Sequence, residues 1–276
     1  MSTNIINPKG MPRSGAKVKV SVYAPEIIPL SLCDYPGEPS CVIFFSGCNF
    51  DCGYCQNWRL KLHSEAHLID LEILKECLRK NRLVGACKVT GGEPLLQAGA
   101  LKELGLFAKS LGLKFGIDTN GSLPGALEDL LPILDLVSLD IKTALRDEEY
   151  TRITGSPDSC TKAVNESLKM LLASGAYADL RMVIVPGFND SESVILSVAE
   201  SLRKAGYAEK AVQGKASLTF AEFVAENAGA EGLRHLKNPS AEDLRRLART
   251  SRLERVRILH GATGLKEIEQ QDKDCK

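Results

Sequence analysis

Three cysteines stand close together in the segment FFSGCNFDCGYCQNW, residues 44–58. Cys48, Cys52 and Cys55 are separated by gaps of three and two residues. Thiolates are soft ligands that suit zinc or an iron–sulfur cluster. The chain has nine cysteines, an odd number that cannot all pair as disulfides. We therefore interpret the three clustered cysteines as metal ligands.

Two kinds of metal centre are compatible with this spacing. A structural zinc ion needs four protein ligands, and His63 or His67 could supply the fourth. In a [4Fe-4S] cluster, three cysteines would each bind one iron and leave the fourth iron free for an exogenous ligand. The cysteine spacing favours the cluster, and the other six cysteines form no second cluster motif. We expect one cluster.

The elements that must position these cysteines are short apolar runs that alternate with amphipathic stretches. Strands are predicted at 41–45, 86–92, 114–121, 134–142, 179–187, 217–224 and 255–259, and helices at 70–80, 101–112, 162–175, 191–206 and 240–251. Asp70 and Asp190 are predicted helix N-caps, and Ser240 and Asp243 a capping box. The polar tail after residue 259 is expected to be frayed. This alternation predicts an α/β fold with parallel strands, either a partial barrel or a doubly wound sheet.

Unusual residues follow the predicted strands. The cysteine loop follows the first strand, TGGEP the second, DTNG the third, DIK the fourth and VPGFND the fifth. Because parallel strands present their carboxyl ends at one side of a sheet or barrel, these loops are expected to meet at one site.

Charge and hydrophobicity exclude some classes of function. The chain has 276 residues, with 35 basic and 35 acidic side chains, so bulk charge indicates neither nucleic-acid nor membrane binding. Its apolar runs are far shorter than the roughly 20 residues that span a bilayer. The first 20 residues contain no apolar core typical of an export signal. We expect a soluble, cytoplasmic protein.

The segment CNFDCGYC resembles the Cys-x3-Cys-x-aromatic-Cys signature of radical S-adenosylmethionine (SAM) enzymes, with Tyr54 as the aromatic residue. GGEP at 91–94 strengthens the likeness. The resemblance implies a partial (β/α)6 TIM-like barrel, in which S-adenosyl-L-methionine chelates the free iron of the cluster. The reduced cluster would cleave the cofactor to a 5′-deoxyadenosyl radical that abstracts a hydrogen atom.

The same resemblance implies a set of cofactor-binding residues. Tyr54 would pack near the adenine, and the methionyl amino group would lie against Gly91, Gly92 and Glu93. Asp140 and Lys142 would contact the ribose and the carboxylate. The remaining implied residues are Asp118 and Thr119, which with Asp140 match a monovalent-cation site, and Asn120 and Arg181. From the residues alone, Lys142 could also be a solvated surface lysine, Asn120-Gly121 a turn and Arg181 a structural ion pair.

Within the superfamily, SLCDYPG (31–37), DIK, TRITGSP and LRMVIVPGFND resemble activating enzymes of anaerobic ribonucleotide reductase and pyruvate formate-lyase. This resemblance implies a glycyl radical enzyme as protein substrate, flavodoxin or ferredoxin as electron donor, and anaerobic conditions. The chain has Cys55-Gln56-Asn57 where activases commonly have Cys-His-Asn. The alternative is a maturase or modifying enzyme acting on another protein, RNA or a small metabolite.

The predicted organisation has three parts. Residues 1–20 are expected to form a flexible tail, residues 21–225 the radical SAM partial barrel, and residues 226–276 a helix and strand extension that matches no known pattern.

Overall fold

The computed structural model describes residues 20–64, 67–156 and 160–269. Its strands are β1 (Ser21–Tyr23), β2 (Glu26–Ser31), β3 (Ser40–Phe45), β4 (Leu68–Asp70), β5 (Ala86–Gly91), β6 (Lys114–Thr119), β7 (Leu136–Asp140), β8 (Tyr177–Ile184), β9 (Ala216–Glu222), β10 (Val256–His260) and β11 (Gly264–Ile268). Its helices are α1 (Leu71–Lys80), α2 (Ala98–Ser110), α3 (Pro124–Leu130), α4 (Asp147–Thr154), α5 (Thr161–Ala173), α6 (Glu192–Lys204), α7 (Tyr207–Val212) and α8 (Ala241–Ser251).

Nine strands form one sheet in the order β2-β3-β5-β6-β7-β8-β9-β10-β11, and β1 pairs with β4. The seven strands from β3 to β10 along this sheet run parallel, while β2 and β11 are antiparallel edges. Within the described residues, β2 and β11 do not pair with each other, so the sheet stays open. Six parallel strands are each followed by one or two helices, which confirms the predicted partial (β/α)6 barrel.

The local sequence explains where the helices begin. The Asp70 carboxylate accepts a hydrogen bond from the Glu72 backbone N–H and caps α1, as predicted. Leu74 and Leu78 of α1 are fully buried on the face that the periodicity predicted. Burying each such leucine stabilises the fold by about 1.5–3 kcal/mol.

The first residue of α6 is capped differently from the prediction. Ser191, not Asp190, is the N-cap, and its hydroxyl accepts from the backbone N–H of Val194. The Asp190 carboxylate instead accepts from the N–H of Gly187 within the preceding turn. Both residues favour caps, so the turn geometry decides between them.

The segment after residue 225 returns to the same sheet. Helix α8 begins at the predicted capping box of Ser240 and Asp243. It packs on α6, and β10 pairs parallel with β9. The expectation of a frayed tail after residue 259 is wrong for Gly264–Ile268, which pair antiparallel with β10.

Parts of the chain outside the described ranges include residues 1–19 of the predicted flexible tail and residues 270–276. Among the residues that the structure describes, no helix has the length and apolar character needed to cross a membrane.

Candidate active site

A cavity of about 440 Å³ lies at the carboxyl ends of the parallel strands. Every predicted site residue except Glu93 lines it: Cys48, Cys52, Tyr54, Cys55, Gly91, Gly92, Asp118, Thr119, Asn120, Asp140, Lys142 and Arg181. The cysteine loop, TGGEP, DTNG and DIK therefore meet at this cavity as expected, whereas no residue of VPGFND (185–190) lines it.

The cysteine loop is held by backbone hydrogen bonds at its start and near its middle. The N–H groups of Gly47 and Cys48 donate to the carbonyls of Leu60 (2.7 Å) and Lys61 (3.0 Å). The Asp51 N–H donates to the Thr154 carbonyl at the end of α4 (2.7 Å). These bonds fold the loop into a compact turn, so that three thiols separated in sequence line one cavity.

The three thiols form no disulfide, and burial raises their pKa values. For Cys52, burial raises the pKa to about 12, although the nearby Lys142 ammonium opposes this shift. The thiols therefore keep their protons until a metal displaces them. Three free thiols on one cavity wall, with a lysine nearby, fit the ligand set of an iron–sulfur cluster.

The alternative of a zinc site with a histidine ligand finds no support in the geometry. The ring of His63 stacks on Tyr23, with 4.3 Å between the ring centroids. Within the described parts of the chain, no three cysteine, histidine or acidic side chains are grouped as ligands of a single metal ion.

Gly91 and Gly92 are required by the protein's own backbone. A Cβ on Gly91 would lie 2.0 Å from the Phe45 carbonyl oxygen, and one on Gly92 would lie 2.1 Å from that of Gly47. Gly91 also has φ +120°, a region that favours glycine. The two glycines let the end of β5 lie directly against the cysteine loop, a role that the motif alone did not reveal.

Glu93 lies fully buried behind the cavity wall. Its carboxylate accepts hydrogen bonds from the N–H groups of Leu95 (3.0 Å) and Asn120 (2.7 Å) and from the Thr119 hydroxyl (2.9 Å). Burial raises the pKa of Glu93 to about 7, although these hydrogen bonds oppose the shift. Glu93 therefore positions the Thr119–Asn120 turn, which lines the cavity in its place.

Lys142 is largely buried rather than solvated. Its Nζ donates to Asp140 Oδ2 at 2.5 Å and lies 5.8 Å from the centroid of the Tyr54 ring. Burial alone would lower the pKa of this ammonium, but the Asp140 carboxylate and the neighbouring Tyr54 raise it well above its usual value. Lys142 therefore presents a fixed positive charge to the cavity.

A layer of paired charges crosses the barrel beneath the cavity. We call it the charged layer, and it consists of Lys88, Asp118, Asp179, Arg181 and Arg257. Lys88 Nζ lies 2.7 Å from Asp118 Oδ1, and Arg181 Nη1 lies 3.7 Å from the same oxygen. Arg181 and Arg257 both pair with the buried carboxylate of Asp179, at 2.7 and 2.5 Å.

Sequence reasoning missed Lys88, Asp179 and Arg257. The available signal was a charged residue inside an apolar run, at an alternate strand position, as in ACKVTGG and DLRMVIV. In the sheet, Asp140, Arg181, Thr219 and Arg257 occupy one register level across four neighbouring strands.

A second cavity of about 440 Å³ opens at the opposite end of the barrel, with Tyr35, Asp135 and Tyr177 among its lining residues. Arg257 lines this second cavity, whereas Asp118 and Arg181 line the first. The charged layer thus separates the two.

Comparisons with known proteins agree with this geometry. Residues 42–199 match the model of the radical SAM superfamily. The pyruvate formate-lyase-activating enzyme of Clostridium pasteurianum is 35% identical over 188 residues, covering 66% of this chain and 76% of that protein. The pyruvate formate-lyase 1-activating enzyme of Escherichia coli K12 is 30% identical over 177 residues, covering 61% and 70%.

Among solved structures, Streptococcus suis SuiB bound to precursor peptide SuiA superposes with a TM-score of 0.57 at 20% identity. The match covers 75% of this chain and 43% of SuiB, and it supports the fold. Because the superfamily model spans more than half of the chain and the activating enzymes match most of their length, the chain belongs to the radical SAM superfamily and to its group of glycyl-radical-enzyme activating enzymes.

Proposed function

We propose that this protein generates a glycyl radical on a partner enzyme, using one [4Fe-4S] cluster bound by Cys48, Cys52 and Cys55 and S-adenosyl-L-methionine bound in the strand-end cavity. When bound, the cluster and cofactor supply reductive cleavage of a sulfonium and hence a radical that abstracts hydrogen. The observation that carries the proposal is the meeting of three free thiols with a fixed Asp140–Lys142 pair in one cavity.

The chain's own residues bind and orient the cofactor in this proposal. Lys142 attracts the cofactor carboxylate, and Asp140 accepts from the ribose hydroxyls. Tyr54 is buried beside the cavity and offers an apolar face to the adenine. Asn120 is held in place because its backbone N–H donates to Glu93, and it contributes a side-chain amide near the cofactor.

A protein substrate is supported by the relatives and by the open sheet. Asp34 of the SLCDYPG segment lines the same cavity as the cysteines. Within the described residues, β2 and β11 are the two unpaired edges of the sheet, and in this proposal a partner's loop reaches the cavity between them. The likeness of SLCDYPG favours anaerobic ribonucleotide reductase as the partner, with flavodoxin or ferredoxin as electron donor.

The decisive experiment is radical transfer with purified partners. The protein would be reconstituted with iron and sulfide without oxygen, reduced, and mixed with S-adenosyl-L-methionine and either anaerobic ribonucleotide reductase or pyruvate formate-lyase. We expect a glycyl doublet in the electron paramagnetic resonance spectrum of the reductase sample. The doublet should be absent when the acceptor glycine of the partner is replaced by alanine.

Other outcomes would reject parts of the proposal. A doublet that appears only with pyruvate formate-lyase would identify the lyase, rather than the reductase, as the partner. Cleavage of the cofactor without a doublet on either partner would favour a maturase or modifying enzyme. Failure of the reduced, cluster-loaded protein to cleave the cofactor would reject the proposed chemistry.

A further inference from the structure

Lys88 is a fully buried lysine whose ammonium has three partners. Its Nζ lies 2.8 Å from the carbonyl oxygen of Asp34, 3.1 Å from Ser138 Oγ and 2.7 Å from Asp118 Oδ1. Two of these contacts are hydrogen bonds and the contact with Asp118 Oδ1 is an ion pair, so the Lys88 ammonium is held within the protein. Such a lysine is a fixed internal cation.

The carboxylate of Asp118 is the acidic group that links Lys88 to the cofactor cavity. Burial alone would raise its pKa, but Lys88 and Arg181 lower the pKa to about 2. Asp118 is therefore ionised, and its charge is already compensated from inside the barrel.

The resemblance to activating enzymes implies a monovalent cation bound by Asp118, Thr119 and Asp140. Here each of these residues already has a partner within the protein. Asp118 pairs with Lys88, Asp140 pairs with Lys142, and the Thr119 hydroxyl donates to Glu93.

The local charge balance also opposes a metal cation. The charged layer and the Asp140–Lys142 pair hold four cations and three carboxylates. A metal ion coordinated by Asp118 would lie near the Lys88 ammonium in a region of low dielectric, where like charges repel strongly.

We infer that the Lys88 ammonium takes the place of an alkali-metal ion as the counter-ion of Asp118, so that this protein binds S-adenosyl-L-methionine without a monovalent cation. Lys88 is thus a positioning residue for the cofactor-binding face of β6. The inference rests on the proposed cofactor site, but the state of Asp118 can be measured without the cofactor.

The first test uses the wild-type protein without cofactor, and its readout is stability. Urea unfolding would be followed in sodium, potassium, rubidium and N-methylglucamine chlorides at equal ionic strength. We expect the same midpoint in all four salts for wild type. Lys88→Met should be less stable in N-methylglucamine and should recover part of the loss in one of the alkali salts.

Lys75→Met provides the matched control. Lys75 is also a buried lysine, paired with Glu72 and Glu103 on the outer helices α1 and α2. Its loss should lower stability equally in all four salts. Alkali-dependent stability of wild type, or a Lys88→Met variant with no alkali response, would overturn the inference.

The second test measures cofactor affinity by titration calorimetry of the oxidised, cluster-loaded protein. We expect wild-type affinity to stay within about two-fold between potassium and N-methylglucamine, and Lys88→Met to bind about ten-fold more weakly without alkali ions and to regain affinity with them. A wild-type affinity that requires potassium or sodium would overturn the inference.

If Lys88→Met does not fold, wild-type crystals grown with rubidium provide an independent test of whether an alkali-metal ion binds beside Asp118. We expect no anomalous peak beside Asp118, and a peak there would overturn the inference. Absence of any cofactor binding by wild type would reject the proposed function instead, while the stability and rubidium results would still decide the role of Lys88.

Discussion

The charged side chains of the cavity owe their ionisation to individual partners rather than to solvent. Lys142 stays protonated because Asp140 lies 2.5 Å away, and Asp118 stays ionised because Lys88 and Arg181 face it. These charges are fixed before a ligand arrives, so a zwitterionic cofactor meets an environment that needs little reorganisation. The thiols differ, because they gain their charge only when they bind metal.

Replacement of one proposed cluster ligand tests the metal assignment at the residue scale. We expect Cys52→Ala to fold like wild type but to lose the cluster, because two thiols cannot hold a cubane stably. Bound iron and sulfide, and the visible absorbance of the reconstituted protein, provide the measurement. Cys77→Ala is the control, since Cys77 is a free cysteine on helix α1 that does not line the cavity. Equal iron in Cys52→Ala and wild type would contradict the assignment.

The buried Glu93 carboxyl predicts a pH dependence of stability. Its pKa is raised from 4.5 to about 7 by burial, so the folded state holds a proton that the unfolded state releases. The contribution of Glu93 to stability is therefore greatest below pH 4.5 and falls as pH rises towards 7. The full change is on the order of 3 kcal/mol.

The measurement is the difference in free energy of unfolding between wild type and Glu93→Gln across this pH range. Taking the difference cancels titrations that both proteins share. We expect wild type to lose stability relative to the variant as pH rises. Parallel curves would show that Glu93 is already ionised in the folded protein.

The residues of the site were unequally predictable. The cysteines and glycines could be found because their types and spacing are fixed by metal binding and by close backbone contact. Lys88 and Arg257 are buried by pairing across strands that are distant in sequence, and no local pattern encodes such pairing. Glu93 was found, but its position behind the wall follows from the three hydrogen bonds that it accepts.

At the scale of elements, the parallel strands were predictable and the edges were not. Strands buried on both faces appear as continuous apolar runs, such as SCVIFF of β3. Strand β2 contains Pro29 and is exposed along part of its length, and β1 and β4 have three residues each. Such short or interrupted segments become strands only when a neighbour pairs with them. The same reason explains why β11 was expected to be frayed.

The connection between β9 and α8 packs against the cysteine loop. The N–H of Ala230 donates to the Gly53 carbonyl at 2.9 Å, and Leu233 packs in a cluster with Tyr54. A Cβ on Gly229 would lie 2.7 Å from Cβ of Trp58. This connection therefore covers one side of the proposed cluster.

A larger side chain at position 229, where the connection contacts Trp58, tests this covering role. We expect Gly229→Val to displace the connection, because the added methyl groups have no space, and to make the cluster several-fold more sensitive to oxygen. The rate at which the cluster absorbance bleaches in air provides the measurement. Gly232→Val is the control within the same connection, since a Cβ there meets nothing within 4 Å. Equal bleaching rates for the two variants would contradict the proposal that this connection covers the cluster.

At the scale of the whole molecule, the open barrel is divided by its charged layer. The layer replaces the apolar side chains that usually fill a barrel, and it lies between a cavity at each end. Buried charges cost desolvation energy unless each has a partner. Since Asp179 is shared by Arg181 and Arg257, loss of one arginine weakens the layer without leaving the carboxylate unpaired.

Removal of Arg257 tests whether the layer acts as one network. We expect Arg257→Met to lower the free energy of unfolding of the metal-free protein by about 2–3 kcal/mol, because Asp179 loses one of two buried partners. Asp179→Asn should cost more, because it leaves two arginines without their main carboxylate. The double variant should cost less than the sum, by about 1 kcal/mol or more, since both changes remove the same bond. The exposed pair Lys204–Glu200 gives the comparison, and Lys204→Met should change stability by less than about 0.5 kcal/mol. Additive losses for Asp179 and Arg257 would mean that the two residues stabilise the barrel independently and that the charged layer does not act as one network.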